Sequence, residues 1–308
     1  MSDPAFRPAD FLAPRYWGTW LALGLLRLLI VPPYRWQVRI GAALGRLLYL
    51  VGRRRRWITE TNIARAFPQL DPAARRHLVK QTFRAAGIAL PETALAWWGR
   101  DEDLAPLVHF EGMQYLEAAL AEGKGVLLLG GHFSSIEISA RLMALRHRCY
   151  AMYRPHENPL FEAVIKRSRE RHLAGLVARD DMRKMIRTLR QGEVVWYAPD
   201  QDFGRRRSVF APFFGIQTAT LVMTSKLAKV SGAPVLPFIS RRTEGERGYR
   251  IIIRPPLADF PSGDDIADAT RVNAVLEEQV RQAPEQYLWL HRRFKTRPEG
   301  EPPFYAKR

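Results

Sequence analysis

A histidine and a carboxylate five residues apart, His132 and Glu137, stand in the stretch Lys124-Gly-Val-Leu-Leu-Leu-Gly-Gly-His-Phe-Ser-Ser-Ile-Glu137. A carboxylate can hold an imidazole in one tautomer, leaving its other nitrogen free to take a proton from an alcohol. With Ser134 as the N-cap of a following helix, Glu137 falls in the first turn, within reach of His132. The helix N-terminus and the amides near Gly130 and Gly131 could then hold developing negative charge. The same residues admit a plainer reading. Ser134-x-x-Glu137 is a capping-box pattern, in which Glu137 only ties down a helix. A serine nucleophile is disfavoured because no Gly-x-Ser-x-Gly elbow occurs. The seven histidines show no spacing typical of metal ligands, so no metal is expected, and base-assisted attack by an alcohol calls for no cofactor.

These residues need elements to position them. Val126–Leu129 is a short apolar run broken by Gly130 and Gly131, which reads as a buried strand. Ser135–Leu145 follows as helix. Strands are expected at Tyr150–Tyr153, Val194–Tyr197, Pro234–Ile239 and Tyr249–Ile253. Helices are expected from Asp71-Pro72 to about Ala86, around Trp97-Trp98, over Met113–Ala121, from Asn158-Pro159 to about His172, and from Asp180 or Asp181 to near Gly192. Two more are expected over Ala219–Val230 and Asp268–Arg281. The alternation predicts a single α/β domain with a mostly parallel central sheet flanked by helices. In such sheets ligands bind beyond the carboxyl ends of strands. His132, Arg154 and Asp200 all fall just past a predicted strand end.

The 308 residues carry 48 Lys and Arg against 31 Asp and Glu, a net charge of +17. Such a surplus calls for an acidic partner. The single cysteine, Cys149, excludes an intrachain disulfide. Tyr16 to Val31 is apolar except for Arg27, and aromatics stand near its ends. As a helix it covers roughly 24 Å, short of the ~30 Å hydrocarbon core. Arg53-Arg54-Arg55-Arg56 lies beyond a second, mixed segment. Residues 1–57 therefore read as an N-terminal membrane-anchoring helix with a basic flank, either crossing the bilayer or lying in one leaflet. Residues 58–308 read as the catalytic domain. No nucleic-acid module is evident, and a non-catalytic basic membrane-bound protein is the alternative from another class.

Four blocks together resemble the lipid A secondary ("late") acyltransferases of the lysophospholipid acyltransferase superfamily, most of all the lauroyl-type members. They are His132-Phe-Ser-Ser-Ile-Glu137, Met152-Tyr-Arg-Pro155, Gly192 to Gly204 with Val209 to Gly215, and Ala283 to Pro298. The resemblance runs from about Pro14 to the carboxyl end. It implies a lysophospholipid-acyltransferase-like domain at the cytoplasmic face of the Gram-negative inner membrane. The implied donor is an acyl thioester on acidic acyl carrier protein. The implied acceptor is the 3-hydroxyl of a hydroxyacyl chain on an anionic, Kdo-bearing lipid A precursor. It further implies His132 as general base, Glu137 as its partner, and Arg154 and Asp200 as site residues. Arg205 and Arg206 are candidates for acceptor phosphate or carboxylate. Phe203, Phe210, Phe213 and Phe214 are candidates for an acyl pocket or plain core. Myristoyl-type transfer, or a phospholipid or mannoside acceptor, is the alternative within the class.

Overall fold

A computed structural model describes residues 6–243 and 248–306. In chain order the helices are α1 (Trp17–Leu28), α2 (Tyr34–Val51), α3 (Arg53–Ala66), α4 (Pro72–Trp98), α5 (Asp101–Leu104), α6 (Met113–Ala121), α7 (Ile136–Met143), α8 (Pro159–His172), α9 (Met182–Arg190), α10 (Met223–Ser231) and α11 (Asp265–Gln282). The strands are β1 (Val108–Glu111), β2 (Val126–Leu129), β3 (Tyr150–Tyr153), β4 (Gly175–Ala178), β5 (Val194–Tyr197), β6 (Ser208–Phe213), β7 (Ile216–Leu221), β8 (Val235–Thr243) and β9 (Gly248–Ile253).

Seven strands form one sheet in the order β1-β9-β8-β2-β5-β3-β4. All neighbours are parallel except β8 and β9. The central strand β2 is wholly buried, as its unbroken Val-Leu-Leu-Leu run requires of a strand covered on both faces. Helix starts follow local chemistry. Asp71 accepts from the amides of Ala73 and Ala74, Asn158 from Phe161, and Asp181 from Lys184. Each thus satisfies an orphan donor of a first turn.

Several elements depart from expectation. The helix expected to end near Ala86 continues through Pro91 to Trp98. Buried contacts override the local breaker there, including Glu92, whose carboxylate takes two bonds from Arg242 and one from Tyr249. The helix expected over Ala219–Val230 starts only at Met223. The residues before it form the second strand of the β6–β7 hairpin. That hairpin packs on α11 through Asn273, which donates to Pro212 O and Thr220 Oγ1.

At the amino terminus, α2 crosses α4 at backbone contact. A Cβ on Gly41 would stand 2.7 Å from Ile88 Cα, and one on Gly87 2.5 Å from Gly45 Cα. Glycine is the residue that lets two helices approach so closely. The opposite face of α2 carries exposed Trp36, Leu47, Leu50 and Val51. The apolar run from Tyr16 becomes the 12-residue α1. Among the described residues no helix is long and apolar enough to cross a membrane, which corrects the expectation of a transmembrane helix. Arg35, Arg39 and Arg46 interrupt α2, and α1 spans only about 18 Å.

Candidate active site

Strands β2 and β5 are adjacent and in register, with Leu129 opposite Tyr197. His132 and Asp200 each lie three residues beyond that pair, so the two chain exits bring them together. His132 Nδ1 and Asp200 Oδ1 are 2.5 Å apart, and the His132 amide donates to Asp200 Oδ2 at 2.8 Å. One buried carboxylate thus fixes both the ring and the backbone of the histidine. Asp200 is 2% exposed, whereas the His132 side chain keeps a quarter of its surface open. With Nδ1 committed to Asp200, Nε2 is the nitrogen left for a substrate proton.

The electrostatics follow from this pairing. Burial alone disfavours the imidazolium, but the charge of Asp200 and its bond outweigh it, and the His132 pKa rises above 6.5. Burial would likewise raise Asp200. The His132 charge and bonds outweigh it, with a smaller contribution from Arg293, and its pKa falls below 3.8. Arg293 is itself buried, donating from Nη1 to Ala219 O.

Glu137 sits elsewhere. Its carboxylate is held by Arg169, through Nη2 and Nε, and accepts from Trp97 Nε1 at 3.1 Å. The expectation that Glu137 orients the imidazole is therefore met by a different residue, Asp200. The capping box does not form either. Ser135 is the N-cap of α7, with no side-chain cap bond, and Glu137 is the second helical residue. Ser134 Oγ is buried without a partner, and its amide donates to Gln286 O. Glu137 instead clamps the first turn of α7 to α4 and α8.

The histidine loop has a second support. Leu288 N donates to His132 O, Ser134 N donates to Gln286 O, and Phe133 bridges Tyr287. Gln286 is buried, and its side chain bonds Arg242 N and Arg242 O. The turn bearing His132 is thus paired to the segment after α11. Asn62 on α3 ties that segment down by donating to Trp289 O and His291 O.

The remaining expected residues divide. Gly130 passes so close to Trp196 that a Cβ would meet the indole nitrogen at 2.8 Å, and its amide donates to Tyr197 O. A Cβ on Gly131 would lie 3.4 Å from Asp200 Oδ2. Of the Gly130, Gly131 and Ser134 amides, only that of Gly131 lacks a bond among the described residues. Arg154 is exposed and pairs with Glu157, with no bond to His132 or Asp200. Arg205 is exposed, stacks on Phe210 and donates to Arg297 O. Arg206 is exposed on the same loop. Phe213 and Phe214 are core, packed with Phe67, Tyr287 and Trp289, and Phe203 is exposed. Trp97, Arg169 and Gln286 were not expected at the site. Arg169 carries no local signal, being one of many cations on a basic helix, and Trp97 reads from sequence as an ordinary apolar anchor.

A mostly parallel sheet that sets a His–Asp pair at the carboxyl ends of two adjacent central strands is an α/β framework able to take a proton from a bound hydroxyl. Residues 5–296 match the model of the bacterial lipid A biosynthesis acyltransferases. The chain is 41% identical over 303 residues to the lipid A biosynthesis lauroyltransferase of Escherichia coli K12, covering 98% of this chain and 99% of that one. It is 39% identical to the palmitoleoyltransferase of the same organism over 96% of this chain and 97% of that one. Identity to its myristoyltransferase is 33%, over 95% and 91%. The chain belongs to the bacterial lipid A biosynthesis acyltransferase family.

Proposed function

We propose that the protein moves a fatty acyl group from acyl carrier protein to the 3-hydroxyl of a hydroxyacyl chain on a Kdo-bearing lipid A precursor, as a lauroyl-type enzyme. His132 Nε2 takes the proton of the acceptor hydroxyl as its oxygen attacks the thioester carbon. The C–O bond forms, the C–S bond breaks, and the imidazolium returns the proton to the leaving thiolate. Asp200 holds the tautomer and balances the imidazolium charge. The Gly131 amide and the start of α7 supply donors for the oxyanion. Glu137 acts through Arg169 and Trp97 by fixing that helix start. Arg205 and Arg206 lie on the loop that follows Asp200 and meet the acceptor's anionic groups.

The observation that carries the reading is the 2.5 Å contact between His132 Nδ1 and buried Asp200. The +17 charge suits both an acidic carrier protein and an anionic lipid. Trp17, Leu21, Leu25 and Leu28 recur at helical spacing on α1, each more than half exposed. These residues, and the exposed apolar residues of α2, are of the kind that mark a membrane contact. On this reading the protein lies in the cytoplasmic leaflet of the inner membrane rather than crossing it.

The test is mass spectrometry of lipid products from the full-length protein, given a panel of acyl carrier protein thioesters and a lipid A precursor, a phospholipid or a mannoside. A lauroyl gain on the lipid A precursor alone is expected, and His132→Ala should abolish it in a folded protein. Turnover by His132→Ala at the wild-type rate would sink the base assignment. Acylation of a different lipid would sink the acceptor.

A further inference from the structure

A cavity of about 360 Å³ lies between α1, the end of α4 and α8, lined in part by Trp97, whose indole donates to Glu137. That volume falls within the ~300–1,000 Å³ of small-molecule sites. Its walls are apolar, built from Trp20, Leu23 and Gly24 of α1, Trp97 of α4 and Val164 of α8. Three guanidiniums, Arg27, Arg167 and Arg171, also line it, and all three are exposed. None of the three is in an ion pair among the described residues, and Arg167 stacks over Phe6. An apolar slot rimmed by uncompensated cations fits a hydrocarbon chain whose head is an anion.

The position on α1 points to where that chain comes from. Trp20, Gly24 and Arg27 recur at four and three residues and so share one flank of the helix. Leu21, Leu25 and Leu28 occupy the neighbouring flank, which is exposed. A chain in the leaflet against those leucines enters the cavity by moving sideways around α1. Gly24 lines the cavity without a side chain, and a Cβ there would meet nothing within 4 Å.

We propose that this cavity is a binding site for one alkyl chain of a phosphate-bearing lipid, with the phosphate on Arg27, Arg167 and Arg171. The inference rests on the leaflet-bound reading above. The Trp97 ring that walls the cavity donates to Glu137, so an occupied site bears on the start of α7. The same chemistry belongs to a bulk anionic phospholipid and to the phosphorylated acceptor.

The test uses full-length protein on phosphatidylcholine vesicles containing phosphatidylglycerol with a diazirine in one acyl chain. After irradiation, crosslinks are mapped by peptide mass spectrometry. The proposal expects a crosslink on the Val164–Arg171 stretch of α8, away from the apolar face of α1. Gly24→Phe fills the cavity without a backbone clash and should remove that crosslink while vesicle flotation stays unchanged. Arg167→Gln/Arg171→Gln should weaken it. Unlabelled lipid A precursor that competes the crosslink away identifies the acceptor as the source. Gly24→Phe should then raise the acceptor KM roughly 15-fold, as expected for displacing two methylenes, with the donor KM unchanged. A crosslink that resists competition identifies bulk phospholipid. No crosslink on α8, or one that Gly24→Phe leaves intact, overturns the proposal. Because crosslinking needs no turnover, that failure is distinct from a wrong acceptor or a wrong reaction. Loss of flotation by the wild-type protein is instead the failure of leaflet binding.

Discussion

Asp200→Asn separates the two carboxylates that could serve His132. The asparagine keeps the shape of the side chain, and its carbonyl can still accept from the His132 amide. Its NH2 then faces Nδ1, where the aspartate oxygen now stands at 2.5 Å. A donor in that place makes Nδ1 an acceptor and puts the ring proton on Nε2, the nitrogen that must take the substrate proton. Tautomer reversal of this kind in a serine-protease triad costs about 10⁴-fold in kcat, so a loss of roughly 10³–10⁴-fold is expected here. The pH profile carries the second half of the test. His132 must be neutral to act, so kcat/KM rises with pH to an inflection above 6.5 in the wild type, because Asp200 raises its pKa. Without that charge, burial is left to act alone and the inflection moves down. Stability follows the same pair. The raised pKa of His132 contributes stability that is lost as pH climbs through its folded value. The lowered pKa of Asp200 contributes stability that is lost as pH falls through its own. The pair therefore stabilises most between about pH 4 and pH 6.5, and the variant should lose about 1–3 kcal/mol there. The assay is acyl transfer from pH 5 to 9, with thermal melts over the same range. An Asp200→Asn enzyme within tenfold of wild type, with an unmoved inflection, would refute the assignment.

Glu137→Gln breaks the pair with Arg169 and is expected to cost about 1–3 kcal/mol, a partly exposed version of a broken buried pair. It should slow turnover through a displaced α7 yet leave the pH inflection in place, and a shifted inflection would return Glu137 to contact with the imidazole. Gly45→Ala drives a methyl into the α4 backbone at Phe83 and Arg84; a loss of about 1–3 kcal/mol is expected, and an unchanged melting temperature would deny the close α2–α4 crossing. Leu21→Glu/Leu25→Glu should release the protein from vesicles in flotation while leaving its melting temperature within a few degrees, and retained flotation would move the membrane contact off α1.

Much of the fold is legible because its signals are local. The Val126–Leu129 run, the glycines that end it, and the caps at Asp71, Asn158 and Asp181 each act within a few residues, and the structure has them where the sequence reading puts them. The histidine at the end of a central strand follows from the same local grammar. β1 mixes polar His109 and Glu111 into its four residues, β4 follows directly on a helix with no marked break in its apolar pattern, and the β6–β7 hairpin hides inside a stretch whose composition suits a helix. Its strand character comes from pairing and from α11 across it.

The choice of partner for His132 lies beyond such signals. Glu137 is close in sequence and carries a family motif, yet a residue at the start of a helix points where the helix axis sends it, here toward Arg169 and Trp97. Asp200 is 68 residues away and reaches the imidazole because β2 and β5 are neighbours in register. Sequence alone determines that His132 and Asp200 stand just past strand ends, with Glu137 close behind the histidine, in a chain with the blocks of a lipid A acyltransferase. Strand order, a property of the whole sheet, decides which acid touches the histidine.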